Sequence, residues 1–87
     1  MKKKPQPVFV EWADSGSFGR QIWRSMDETS KELRPSKIQS VGFLIAEEKD
    51  RIVLTGHISD EDDESGGFVI PRGCITKLTK LGGRKRR

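Results

Sequence analysis

Hydrophobic and polar positions alternate with a period of two at the start of the chain. Val8, Val10 and Trp12 alternate with the residues between them, and the turn-forming residues 14–17 follow. This alternation is typical of a β-strand with one well-buried face. The pattern therefore predicts a first strand that begins at Val8 and ends before the turn.

Four further strands are predicted downstream. Residues 38–46 and 51–55 are rich in β-branched and aromatic side chains, and the polar turn between them favours a β-hairpin. A polar loop at 59–67 leads to a strand at 68–70, a break at Pro71-Arg72-Gly73, and a last strand from 74 to 81. Five short strands with close turns favour a mainly β fold, a small closed antiparallel barrel. A single antiparallel sheet with a helix on one face is the main alternative.

One short helix is predicted between the first and second strands. Ser25 is followed three positions later by Glu28, the spacing of a capping box, and Pro35 would end the helix. Apolar positions on this segment are few, so the helix is expected to pack on the side of the domain through a thin stripe. That stripe consists of Trp23, Met26 and Leu33.

The size and composition favour one cytoplasmic domain. The chain has 87 residues, enough for one small core. Cys74 is the single cysteine, so no intramolecular disulfide can form, which suits a reducing compartment. Membrane attachment is not expected, because no apolar run approaches the roughly 20 residues of a membrane span. Pro5-Gln6-Pro7 also stands where a signal peptide would be apolar.

The positive charge of the chain lies in its two tails. The net charge is +4, but seven of the seventeen Lys and Arg residues lie in the tails, which leaves residues 5–83 with a net charge of −3. The expected organisation is a disordered basic arm at 1–7, a single domain at 8–81 and a flexible basic tail at 82–87. The tail charges are Lys2, Lys3, Lys4, Arg84, Lys85, Arg86 and Arg87.

The closing segment resembles two known barrel families. Residues 67–81 resemble the end of SH3-like barrels, where a strand ends in a proline-containing single turn before the last strand. They also resemble the second motif of Sm-like proteins, in which an Arg-Gly pair precedes an isoleucine. The matching residues are Ile70, Arg72, Gly73 and Ile75, whereas Pro71 and Cys74 depart from the Sm pattern.

Residues 8–81 also resemble a family of small uncharacterised proteins from tailed bacteriophages. The resemblance implies an SH3- or Sm-like five-stranded barrel in a phage setting, in the cytoplasm of a bacterial host, and supplies no activity. It is carried by Val10-Glu11-Trp12-Ala13-Asp14-Ser15, Ser40-Val41-Gly42-Phe43-Leu44, Ile52-Val53-Leu54 and Ile70-Pro71-Arg72-Gly73-Cys74-Ile75.

Catalysis and cofactor binding are not expected. A nucleophile and its base would have to be Cys74 and His57, which are more typical of a small core residue and a strand end. Zinc needs about four ligands, and these two residues leave the set incomplete. The segment that contains Gly16 and Gly19 has neither the lysine nor the strand–turn–helix context of a phosphate-binding loop.

The acidic loop only partly follows the pattern of a calcium-binding loop. Asp60, Asp62 and Glu64 alternate as calcium ligands do, but Ser65 and Pro71 stand where an EF-hand loop needs glycine and glutamate. No metal is therefore expected. The loop remains a candidate for docking a basic protein, together with Trp23; the acidic residues concerned are Asp60, Glu61, Asp62, Asp63 and Glu64.

Basic residues are the candidates for nucleic-acid binding. Unstructured Lys/Arg segments bind phosphates by counterion release, which points to both tails. In the folded part the candidates are Arg72, Lys77 and Lys80. Lys77 and Lys80 are three positions apart on one predicted strand, so their side chains should lie on opposite faces of the sheet.

Two classes of binding function follow. We expect a non-enzymatic phage accessory protein that binds a host or phage protein, because nucleic-acid-binding modules usually have positive charge on the fold itself. The alternative is an Sm-like barrel that binds RNA or single-stranded DNA, in which open sheet edges pair into a homo-oligomeric ring. A structural role in a virion would also predict a defined oligomer.

Overall fold

The structure, a computed structural model, describes residues 5–16 and 23–82. It is mainly β, with one α-helix and one short 3-10 turn. In chain order the elements are β1 (Gln6–Asp14), α1 (Met26–Glu32), β2 (Ser36–Glu47), β3 (Arg51–Thr55), β4 (His57–Ile58), β5 (Glu64–Ser65), β6 (Phe68–Pro71), the 3-10 turn (Arg72–Cys74) and β7 (Ile75–Lys80).

Five strands form one antiparallel sheet in the order β6-β3-β2-β1-β7, and β4 and β5 form a separate two-stranded hairpin. The five predicted strands, including the β2–β3 hairpin, are confirmed. Within the described residues no strand pairing joins the edge strands β6 and β7, so the sheet is not closed by hydrogen bonds. The predicted closed barrel is therefore not confirmed.

β1 begins two residues earlier than the sequence pattern predicts. Gln6 pairs with Leu44 and Pro7 pairs with Phe43, so both residues belong to the sheet and not to the arm. A proline is tolerated at a strand start, where its missing N–H removes little of the hydrogen-bond ladder. The carbonyl of Pro7 accepts a hydrogen bond from the N–H of Leu81 at 2.9 Å.

The core lies between the inward faces of β1, β3 and β6. Its fully buried members are Val8, Val10, Ile52, Leu54 and Ile70. The half-buried residues Trp12, Leu44, Cys74, Ile75 and Leu78 pack against them. Trp12 therefore lies against the core as its alternation predicts, and its Nε1 donates to Ser40 Oγ at 3.0 Å.

Gly42 of β2 lies close to the end of β3. A Cβ on Gly42 would lie 3.0 Å from the carbonyl oxygen of Thr55 and 3.3 Å from Cβ of Leu54. The absence of a side chain therefore lets the two strands pack directly over the core.

A β-bulge in β7 allows an odd-numbered and an even-numbered residue of this strand to pack against the core. Glu11 pairs with Lys77, but Trp12 pairs with Ile75, so Thr76 is an extra residue in β7. The Thr76 hydroxyl donates to the carbonyl of Glu11 at 2.9 Å. As a result both Ile75 and Leu78 pack against the core, although simple alternation would place them on opposite faces.

α1 has the predicted cap but not the predicted packing. Ser25 Oγ accepts a hydrogen bond from the N–H of Glu28 at 3.1 Å, as the capping-box spacing predicts. None of the residues of α1 is buried, and Trp23 and Met26 are exposed. The prediction that an apolar stripe packs the helix against the domain is wrong. Its local stabilisation comes from the cap and from ion pairs such as Lys31–Asp27 at 3.2 Å.

Candidate interaction surface

The outward face of the sheet is apolar over part of its area. Strand alternation and register place Phe9 opposite Val41 on this face, and Phe43 follows two positions after Val41 on β2. Val41 is 64% exposed. Ile45 is 42% exposed but is the extra residue of a β-bulge between Leu44 and Ala46, where the alternation of β2 is interrupted. On the neighbouring strands Val53 pairs with Val69, which is 54% exposed.

These residues form one surface, which we call the outer-face patch. In an antiparallel sheet with one face in the core, the other face is usually polar. A contiguous exposed apolar area on a soluble fold typically marks an interaction site. The patch consists of Phe9, Val41, Phe43, Val53 and Val69, of which Phe9, Phe43 and Val53 are half-buried.

The other end of the outward face is polar. Glu11 pairs with Gln39 on β2 and with Lys77 on β7, and Ala13 pairs with Lys37. An open groove of about 680 Å³ lies here, lined by residues of β1, β2 and β7. Its charged residues have both signs, so the groove defines no preferred ligand charge. The lining residues are Glu11, Trp12, Ala13, Lys37, Ile38, Gln39 and Thr76.

The acidic hairpin borders the outer-face patch. Thr55, which pairs with Phe43, is fully buried, and its hydroxyl donates to Glu64 Oε1 at 2.6 Å. The same hydroxyl lies 2.9 Å from the carbonyl oxygen of Ser65. The β4–β5 hairpin is therefore anchored beside the patch, with Asp60, Glu61, Asp62 and Asp63 exposed in its turn.

The turn of this hairpin is held by one serine. Ser59 Oγ accepts hydrogen bonds from the N–H groups of Glu61 and Asp63, both at 3.1 Å. Asp62 has a φ of +67°, a conformation that Asp adopts more readily than most residues. The sequence indicated only a polar loop here. The serine before the acidic run was the feature that could have indicated a turn held by side-chain hydrogen bonds.

The basic candidates of the folded part do not form one patch. Lys77 lies on the outward face opposite Glu11, whereas Lys80 pairs with the core residue Val8 on the other face. Lys77 and Lys80 therefore lie on opposite faces of the sheet, as predicted. Arg72 Nε donates to the carbonyl of Glu48 at 3.0 Å, and its guanidinium lies 3.3 Å from Glu47. Arg72 thus connects the 3-10 turn to the β2–β3 turn, a structural role that the sequence did not indicate.

The basic tails lie outside the described residues, but their points of attachment are described. Gln6 Nε2 donates to the carbonyl oxygens of Pro7 and Leu81, both at 2.9 Å. Leu81 in turn donates to Pro7. The chain therefore enters and leaves the sheet at one place. The tail candidates Lys2, Lys3, Lys4, Arg84, Lys85, Arg86 and Arg87 are attached there.

The remaining candidate residues lie in separate elements. Trp23 is exposed just before α1, His57 is exposed on β4, and Cys74 is half-buried in the 3-10 turn against the core. Within residues 5–16 and 23–82, no three His, Cys, Asp or Glu side chains are grouped so that they could hold a metal ion.

Comparison of the chain with protein-family models, curated proteins and solved structures gives no match. In the part of the chain that the structure describes, no helix has the length and apolar character needed to cross a bilayer.

The outer-face patch is the surface that sequence reasoning missed. The signal was in β2, where residues 41–46 are apolar on both strand faces apart from a glycine. A strand with one solvent face would alternate with polar residues. The run therefore indicates apolar side chains on both faces of β2, and the structure leaves Val41 and Ile45 in solvent.

Proposed function

We propose that this protein is a non-enzymatic binding module whose outer-face patch docks a partner protein. The observation that carries the proposal is the exposure of Val41 and Val69 on one face of a sheet whose other face already supplies the core. Burying one such side chain contributes on the order of 1.5–3 kcal/mol. Several such side chains on one face supply a sizeable part of a specific interface.

The acidic hairpin defines the chemistry of the partner. It places a run of five carboxylates, Asp60 to Glu64, beside the patch at Phe43 and Thr55. Complementary charge steers association and fixes the orientation of the complex more than it raises affinity. The partner is therefore a protein surface with apolar side chains bordered by Lys or Arg.

A barrel of the SH3 or Sm type is part of this proposal. In a flat five-stranded sheet the edge strands would lie about 19 Å apart, at roughly 4.8 Å per strand. Pro71 at the end of β6 and Ile75 at the start of β7 are joined by the three-residue 3-10 turn, which spans at most about 15 Å even if fully extended. This supports a strongly curled sheet. The curled sheet and the resemblance to phage proteins together favour a host or phage protein as the partner.

The proposal is tested by substitution in the patch. Val41→Thr and Val69→Thr keep the β-branched shape but add a hydroxyl to the exposed face. Met26→Thr is the control at a separate exposed apolar site. Purified full-length variants are used to capture proteins from bacterial host lysate with quantitative mass spectrometry. A protein captured by the wild type and the control, and lost from the double variant, supports docking at the patch; equal capture by all three proteins contradicts it.

Self-association of the patch is distinguished by sedimentation. If the occupant is a second copy, the wild-type chain forms a dimer that Val41→Thr and Val69→Thr dissociate. The proposal instead predicts a monomer at the same concentration, because each copy would bring its own acidic hairpin to the interface.

A further inference from the structure

We propose that the outer edge of β7 binds an extended acidic segment of a partner protein, which adds to the sheet as one further antiparallel strand. The inference goes beyond docking at the outer-face patch, because the patch consists of side chains on one sheet face, whereas the edge presents backbone groups. Among the described residues β7 pairs only with β1. An edge strand with unpaired backbone groups is a template for pairing with another chain.

The register of β7 shows which backbone groups face away from the sheet. The N–H of Leu81 donates to the carbonyl of Pro7 at 2.9 Å, so this pair is hydrogen-bonded. Hydrogen-bonded pairs recur at every second residue of an antiparallel ladder, and Thr79 therefore also directs its N–H and C=O toward β1. Leu78 and Lys80 alternate with these residues and direct their backbone groups outward. They lie in the half of β7 that is farther from the 3-10 turn.

The opposite edge of the sheet is less suited to pairing. Arg72 donates its N–H to the carbonyl of Asp50 at 2.9 Å, which continues the pairing of β6 with β3. By the same alternation, Val69 and Pro71 direct their backbone groups away from β3. Proline has no N–H, so the outer edge of β6 lacks one of these two donors. β7 is therefore the edge at which an added strand can form the more complete ladder.

The lysines of β7 define the charge of the added strand. Lys77 and Lys80 are exposed, and β7 contains no acidic residue. A carboxylate on a paired strand is stabilised opposite a lysine. Lys77 already lies opposite Glu11 on β1, whereas Lys80 lies opposite Val8. A carboxylate opposite Lys80 is therefore expected to contribute more than one opposite Lys77.

Leu78 defines the apolar position of the added strand. Its side chain packs against the core but is only half-buried. An apolar side chain opposite Leu78 would cover the exposed part and extend the core. In antiparallel pairing, the residues opposite Lys80 and Lys77 lie two positions before and one position after this apolar residue. The bound segment therefore has the pattern acidic, any residue, apolar, acidic.

A second copy of this chain is a poorer occupant of the edge. Pairing of two β7 strands would bring four lysines and no carboxylate of either strand together, and like charges at a junction are destabilising. β6 of a second copy has no acidic residue either, and it includes Pro71, which has no N–H. Charge and hydrogen-bond pattern both favour an acidic segment of another protein.

The experiment measures binding of a synthetic peptide to the full chain by NMR. The capped probe peptide is Thr-Glu-Thr-Val-Glu-Thr, which contains the expected pattern. In the free chain the amides of Leu78 and Lys80 should exchange fast and that of Thr79 slowly, since only the last is bonded to β1. Peptide at millimolar concentration should slow exchange at Leu78 and Lys80 at least about threefold, because protection rises with the occupied fraction. The charge-reversed peptide Thr-Lys-Thr-Val-Lys-Thr should have no such effect.

N-methylated peptides separate backbone pairing from attraction between charges. Methylation of the first glutamate and the valine removes the two N–H groups that would face β7, and should weaken binding at least about tenfold. Methylation of the central threonine and the second glutamate leaves those two groups intact and serves as the matched control. The control peptide has the same side chains and should keep most of the affinity.

Variants of the chain test the edge from the other side. Lys80→Gln should weaken binding about twofold to fivefold, and Lys77→Gln should have a smaller effect. Lys80→Pro removes the same charge and also the N–H that faces outward, so it should bind more weakly than Lys80→Gln. Slow exchange at Thr79 verifies that each variant is folded. Lys37→Gln, on the interior strand β2, is the control and should bind as the wild type does.

Three results would overturn the inference: protected amides at Leu78 and Lys80 in the free chain, no effect of the probe peptide, or equal binding of the two N-methylated peptides. Sedimentation tests the second copy as the occupant. A dimer that protects Leu78 and Lys80 without peptide would show that β7 pairs with another copy, and the assignment to an acidic segment would be wrong. None of these measurements involves Val41 or Val69, so the edge and the outer-face patch fail separately.

Discussion

The hydroxyl of Thr55 donates a 2.6 Å hydrogen bond to the carboxylate of Glu64 and thereby joins the acidic hairpin to the sheet. Thr55 is fully buried, and its hydroxyl also lies 2.9 Å from the carbonyl oxygen of Ser65. One side chain at the end of β3 therefore determines where the exposed carboxylates stand relative to the outer-face patch.

Replacement of Thr55 with valine should release the hairpin. Thr55→Val keeps the shape of the side chain but removes the donor, and loss of a buried hydrogen bond to a charged group costs about 1.5–3 kcal/mol. We expect the free energy of unfolding to fall by this amount, with faster amide exchange at Ser59 and Asp63. Thr79→Val, at an exposed position of β7, is the control and should stay within about 0.5 kcal/mol of wild type. Similar losses in both variants would contradict the anchoring role.

Gly42 should not tolerate a side chain. A Cβ there would lie 3.0 Å from the Thr55 carbonyl oxygen, and this backbone atom cannot move without displacing β3. Gly42→Ala is expected to lower the free energy of unfolding by about 1–3 kcal/mol, as overpacking of a core does. Chemical denaturation gives the value. At Gly56 a Cβ meets nothing within 4 Å, so Gly56→Ala should have little effect; equal destabilisation by the two variants would refute the steric explanation.

Arg72 should contribute to the stability of the fold. Arg72→Gln removes the bonds to Glu47 and Glu48, and for a side chain that is partly exposed we expect a loss of about 0.5–1.5 kcal/mol in unfolding free energy. Lys49→Gln is the control, since it makes the same charge change in an exposed turn. Equal stability of Arg72→Gln and Lys49→Gln would contradict the structural role of Arg72.

The two tryptophans should be distinguishable by fluorescence quenching. Trp12 packs against the core and donates to Ser40, whereas Trp23 is exposed. In Trp23→Phe the remaining emission should be shifted to shorter wavelength and should be less quenched by acrylamide than that of the wild type, because Trp12 is half-buried. If the emission of Trp23→Phe is as accessible as that of the wild type, the assignment of Trp12 to the core is wrong.

The strands could be predicted because their alternation is local. β3 matches its predicted limits, and the Ser25 cap of α1 follows from the spacing of Ser25 and Glu28. Pairing is not local: the contact of Gln6 and Pro7 with Leu81 depends on the register of β1 with β7. The sequence pattern likewise does not indicate the bulge at Thr76, because the bulge depends on which residue of β1 lies opposite each residue of β7.

Only some of the candidate surfaces could be predicted, again because a sequence pattern shows local features and does not show strand pairing. The acidic run and the basic tails are visible as composition, and Trp23 is exposed. The outer-face patch, however, is assembled from four strands, and the apolar residues of β2 give no indication of which face meets solvent. Arg72 was assigned to a basic surface because its partners, Glu47 and Glu48, are distant in sequence.

Site-specific photocrosslinking tests the central claim, docking of a partner protein at the outer-face patch, most directly. A benzophenone amino acid is placed at position 41 or 69 in the patch, or at position 37 or 77 at the polar end of the same face, and the full chain is irradiated in bacterial cells that produce it. We predict that positions 41 and 69 give a covalent adduct with the same partner protein, and that positions 37 and 77 do not. Adducts that form only at the polar end, or equally at all four positions, would contradict docking at the patch.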